Sequence, residues 1–96
     1  MPDPPRACAL SHPVQLILYT RDHCHLCDRL EQLLAPHLTR LRQRGEVTLI
    51  KRDIDDGPDW YEQYHTRIPV LTCDDRVILE GRPEPLAVAM AMGKLM

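Results

Sequence analysis

Cys24-His25-Leu26-Cys27 places two thiols three residues apart in the first third of the chain. On a helix that spacing is close to one turn, so both sulfurs face the same side and can close a disulfide or share a ligand. The chain before them is apolar almost throughout, as in a strand buried on both faces, and a first strand is expected near Gln15 to Thr20. After them Leu26, Leu30, Leu33, Leu34, Leu38 and Leu41 recur at spacings of three and four, one apolar stripe of a helix running to about Arg44 and stopped by Gly45. Cys24 therefore falls at a helix start. Exposed backbone N–H groups and the positive end of the helix dipole there favour a thiolate over a thiol, which makes Cys24 the expected nucleophile. Cys27 continues the apolar stripe, and a less ionised second thiol suits attack on a mixed disulfide formed by the first. Arg21, His23 and His25 surround Cys24, and their positive or partly positive charge adds to the stabilisation of its thiolate.

A second feature is Ile68-Pro69-Val70. Proline cannot donate to a sheet ladder, so it belongs at a strand start, and a cis Ile68–Pro69 bond would turn the Ile68 backbone toward the cysteines. A substrate peptide or glutathione would then pair with that edge.

The remaining elements follow from local pattern. Val47 to Ile54 reads as a second strand, stopped by Asp55-Asp56-Gly57-Pro58. A short helix is expected over Asp59 to His65. Ile68 to Cys73 and Arg76 to Glu80 form two short strands joined by Asp74-Asp75, the length of a tight hairpin closed by Gly81. A final helix is expected from about Glu84 to Leu95. Pro36 lies inside the first helix, where it removes a bond to Gln32, so a kink or break is expected near Ala35. A strand-helix-strand unit crosses over into a parallel pair and a two-residue hairpin forces an antiparallel one. The expectation is an α/β fold, a four-stranded mixed sheet with flanking helices.

Bulk properties bound the rest. With 96 residues, 44% hydrophobic and 27% charged, the chain can bury one core. Residues 1–13 hold four of the nine prolines and no apolar periodicity, and read as a flexible lead-in to one domain over 14–96. A net charge of −2 gives no reason to expect nucleic acid or an anionic membrane as partner. With no basic, apolar leader and no spanning segment, the expected address is the cytoplasm, and a monomer is expected. Close cysteines in a reducing compartment point to redox chemistry or metal binding.

The string Tyr19 to Cys27, with Asp53-Ile54-Asp55, Arg67-Ile68-Pro69-Val70 and Gly81, resembles the glutaredoxin-like branch of the thioredoxin superfamily over roughly Val14 to Met92. The resemblance implies a thioredoxin-like fold and thiol-disulfide exchange, with Cys24 as nucleophile, Cys27 as resolving thiol and Pro69 as cis-proline. Arg21 then matches the basic residue, usually lysine, before the motif, and Ile68 offers its backbone to the γ-glutamylcysteine of glutathione. The substrate would be a protein or small-molecule disulfide, with no tightly bound cofactor and with glutathione or a thioredoxin-type reductase as the source of electrons. His25-Leu26 stands where glutaredoxins commonly have Pro-Tyr, and Gly81-Arg82-Pro83-Glu84 where they have a Gly-Gly pair with acidic residues.

The alternative class is a non-catalytic binding module, or a carrier of zinc or an iron-sulfur cluster that uses the dithiol as ligands. No second C-x-x-C or spaced His pair completes a zinc set, and His23 or His25 would have to serve, so no metal site is assigned. Cys73 reads as a small core residue, Cys8 as a thiol in the lead-in, and the Trp60, Tyr61, Tyr64 cluster as core or partner-facing surface.

Overall fold

The computed structural model describes residues 13–95, so the expected lead-in, apart from Pro13, lies outside the described residues. The chain runs through β1 (Val14–Thr20), α1 (His25–Arg42), β2 (Val47–Asp53), a 3-10 turn (Ile54–Asp56), α2 (Pro58–Tyr64), β3 (Val70–Cys73), β4 (Arg76–Glu80) and α3 (Pro85–Gly93). The strands form one sheet in the order β2-β1-β3-β4. β1 is parallel to β2 and antiparallel to β3, which is antiparallel to β4. This is the mixed sheet that the sequence implies.

Alternation along the two central strands sorts the core into two layers. Val14, Leu16 and Leu18 of β1, with Leu71 and Cys73 of β3, pack on Leu30, Leu34, Leu38 and Leu41 of α1 and on Val88 and Met92 of α3. Ile17, Tyr19 and Val70 point the other way, where Ile54 joins them and Trp60 and Tyr64 of α2 close over the top. Cys73 is fully buried in the first layer, as a small core residue is.

Helix α1 runs through Pro36 as one element, so the break considered near Ala35 does not occur. Pro36 and Gln32 are both exposed, so the carbonyl that loses its N–H partner is free to bind water. The Asp74-Asp75 hairpin has φ of 48° and 73°, the left-handed pair that a two-residue turn needs to match strand twist. β3 starts at Val70, two residues later than the sequence pattern implies, because Ile68 and Pro69 form a cis peptide loop ahead of the ladder.

These directions bring four chain segments to one edge of the sheet. β1, β2 and β4 all end there, β3 begins there, and Thr20 pairs with Asp53 while Val70 pairs with Tyr19 and Glu80. Arg21 to Cys24, Ile54-Asp55, Ile68-Pro69 and Gly81 therefore share that edge.

Candidate redox site

His23 adopts φ of 58°, a left-handed turn that histidine tolerates better than most residues, and it redirects the chain from β1 into α1. Cys24 then takes extended backbone angles as the N-cap, and His25 is the first helical residue. A Ser or Asp usually fills the N-cap role by accepting an N–H of the first turn. Here sulfur does so: the Cys27 N–H donates to Cys24 Sγ at 3.1 Å, and the Asp28 N–H donates to the Cys24 carbonyl at 3.1 Å. In the disulfide this sulfur does not titrate; the N–H aimed at it and the positive end of α1 are the surroundings that a thiolate would meet there on reduction.

The two cysteines are joined as a disulfide, with Cα atoms 5.2 Å apart. Their exposures differ in the direction that the expected roles of nucleophile and resolving thiol would require. Cys24 is half-exposed, whereas Cys27 is only 2% exposed and sits beneath it against the core. A substrate disulfide can approach the first sulfur and not the second.

The other expected residues occupy distinct places around this pair. His23 and His25 are exposed. Arg21 is exposed too, but its Nε donates to Asp55 Oδ2 at 3.1 Å and its guanidinium lies 5.5 Å from the centre of the Tyr61 ring. Bonding to Asp55 pushes the Arg21 pKa further above its ordinary value, so it is a fixed cation held toward the 3-10 turn. Pro69 is buried and follows a cis bond, and Ile68 is half-buried. The Ile68 N–H already donates to the Tyr64 carbonyl at 3.1 Å. The other backbone group of this residue at the edge is its carbonyl, which belongs to the cis peptide bond.

Gly81 acts on the proline loop rather than facing outward alone. Its N–H is shared between the carbonyls of Arg67, at 2.9 Å, and Pro69, at 3.0 Å, and its φ of 76° is one that glycine adopts without strain. Arg67 is the residue the sequence pattern undervalued. Its guanidinium binds Glu80 through Nε, at 3.0 Å, and through Nη2, donates to the Gln63 carbonyl at 3.4 Å, and stacks 5.5 Å from the Tyr64 ring centre. It ties the end of β4 and the end of α2 to the residue before Ile68. The string Arg67-Ile68-Pro69-Val70 contained that signal, but not the partner thirteen residues away.

Residues 15–86 match the glutaredoxin-like domain (DUF836), three quarters of the chain. The chain belongs to that family. Similar solved structures include target protein XcR50 from X. campestris, 30% identical over 81% of this chain and 95% of that one, with a TM-score of 0.62. Protein Ne2328 from Nitrosomonas europaea is 25% identical over 82% of this chain and 91% of its own, with a TM-score of 0.58. The oxidised thioredoxin of Plasmodium falciparum, 13% identical over 88% of this chain and 83% of its own, has a TM-score of 0.60 and shares the fold. The family and its fold are thus glutaredoxin-like and thioredoxin-like, with the Cys24–Cys27 pair at disulfide distance. No described helix is long and apolar enough to cross a membrane. Among the described residues no group of three or more His, Cys, Asp or Glu is gathered to hold a metal ion.

Proposed function

We propose that this protein is a thiol-disulfide oxidoreductase in which Cys24 attacks and Cys27 resolves. The observation that carries the reading is the Cys24 sulfur at the N-cap of α1, holding the Cys27 N–H at 3.1 Å and bonded to a buried partner sulfur. In the reduced protein the Cys24 thiolate attacks one sulfur of a substrate disulfide. An S–S bond forms between Cys24 and that half, and the other half leaves as a thiolate that takes a proton from water. Cys27 then loses its proton and attacks the Cys24 sulfur, closing the protein disulfide and expelling the second half as a thiol. Two electrons pass from the dithiol to the substrate. Two external thiols, from glutathione or from a thioredoxin-type reductase, return them.

The Ile68 carbonyl supplies a backbone acceptor for an N–H of the bound substrate, and Arg67 and Gly81 act as positioning residues for that loop. The protein works in a reducing compartment, where the returning thiols are abundant.

A pair of serine variants tests the assignment by mass spectrometry after mixing with a disulfide substrate. Cys27→Ser should accumulate a mixed disulfide on Cys24, and Cys24→Ser should accumulate none. Trapping by Cys24→Ser alone would reverse the roles. Absence of any adduct and of any turnover would favour the dithiol as a ligand pair instead.

A further inference from the structure

Beside the Arg21–Asp55 pair lies a cleft of about 530 Å³ that the exchange chemistry itself does not need. Its walls are Ile54, Pro58 and Tyr61, and its polar groups are Asp55, Glu62 and His65. No Lys or Arg lines it. The stretch from Asp53 to Glu62 carries five carboxylates, at 53, 55, 56, 59 and 62, and no Lys or Arg at all. Arg21 engages Asp55 through Oδ2, and among the described residues Glu62 has no cationic partner. His65 donates its Nδ1–H to the Tyr61 carbonyl at 2.8 Å and stacks on the Tyr61 ring at 4.6 Å, which fixes the aromatic wall.

The chemistry of that lining selects one kind of occupant. A long basic side chain can lay its aliphatic stem along Pro58 and the exposed part of Tyr61, over the buried Ile54, while its charged head meets Glu62, with Asp55 already held by Arg21. A carboxylate brought there meets like charge and finds the nearby cation, Arg21, already paired. The cleft is also close enough to matter. Arg21, which bonds to one lining residue and stacks on another, is three residues from Cys24, a span of at most about 11 Å of chain.

We infer that this cleft is a specificity subsite that takes the Lys or Arg side chain of a polypeptide substrate, a few residues from the cysteine that Cys24 attacks. The inference rests on the exchange reaction proposed above and names its substrate class: disulfides in basic polypeptide segments.

The test uses two peptide disulfides identical except for Lys or Glu near the cysteine, with uncharged bis(2-hydroxyethyl) disulfide as reference. At low salt kcat/KM for the Lys peptide should exceed that for the Glu peptide about fivefold, roughly the worth of one exposed ion pair. The ratio should fall toward one in high salt and should fall or invert in Glu62→Lys. Equal rates for the two peptides, or a ratio that Glu62→Lys leaves in place, would overturn the subsite while the exchange reaction stood. If even the uncharged disulfide is not reduced, the reaction itself is wrong. The cleft is then judged on the oxidised protein by NMR, with versions of both peptides that lack the cysteine. Shifts centred on Asp55, Tyr61 and Glu62 with the Lys peptide, and none with the Glu peptide, support it; shifts elsewhere or equal for both refute it.

Discussion

One face of the sheet is packed with leucine, valine and methionine, while the other is packed with isoleucine and valine under a lid of aromatic rings. The aliphatic layer holds no charged side chain, and the same face of α1 runs on to the buried Cys27. The aromatic layer is different. Tyr19 lies edge-on to Trp60 at 6.1 Å and against Tyr64 at 4.4 Å, and its hydroxyl accepts from Arg52 Nη1 at 3.2 Å. Arg52 covers Trp60, and the next two rings along α2 carry Arg21 over Tyr61 and Arg67 over Tyr64. Two of those arginines end at the site edge, one beside Asp55 and one ahead of Ile68-Pro69. The contrast assigns stability mainly to the first face and site geometry mainly to the second.

The largest expected effect breaks the first face. Leu34→Ala removes a fully buried side chain from the α1 layer and should cost about 3.5 kcal/mol, the middle of the range for such cavities. Denaturant titration would read it, and kcat of the folded fraction should change little. Tyr64→Ala removes a half-buried ring that touches both Tyr19 and Arg67, and should cost less stability, about 2 kcal/mol. Its KM for a peptide disulfide should rise several-fold, however, because Arg67 loses its platform. Equal KM in the two variants would dissolve the distinction between the faces.

Gly81→Ala meets no atom within 4 Å, yet it puts a Cβ on a backbone of φ 76°. The expected cost is about 1 kcal/mol from strain alone, with Gly81→Asn milder, measured by thermal unfolding. The smallest effect belongs to His37 on the aliphatic side. Its Nδ1 accepts from Arg40 Nη2 at 2.8 Å, and burial together with the Arg40 charge pushes its pKa below the ordinary histidine value. The folded protein thus prefers neutral His37. Between the lowered folded value and the ordinary one the unfolded chain binds more protons, so stability rises with pH there and is lost on acidification. His37→Gln should flatten the stability profile just below neutral pH, and an unchanged acid limb would show that His37 titrates as an ordinary exposed imidazole.

Elements with a local cause were legible in the sequence. The α1 stripe, the Asp74-Asp75 hairpin and the placement of Cys24-His25-Leu26-Cys27 at a helix start each depend on residues within one or two turns of each other. The misjudged boundaries are those where distant parts intervene. Ile54, taken for a strand residue, opens a 3-10 turn capped by Asp53, whose Oδ1 accepts the Asp55 N–H at 2.9 Å. Ile68, also taken for a strand residue, gives its N–H to the end of α2 instead of a ladder. Arg21 looked like a cation for the thiolate because it is near in sequence. Its partner Asp55 is 34 residues on, brought beside it by the parallel pairing of β1 and β2. Periodicity reports which face a residue takes and is silent about which charge waits there.

Trp60 is the chain's single tryptophan, and it belongs wholly to the aromatic face, its ring so close over Gly57 that an added Cβ would lie 2.7 Å from it. The two layers therefore have separate optical signatures. Tryptophan emission follows the packing of α2, while far-ultraviolet dichroism is dominated by the 18-residue α1 on the opposite side. Recording both along one denaturant series asks whether α2 can loosen while α1 holds, and coincident transitions would mean that the scaffold and the walls of the cleft melt as one unit.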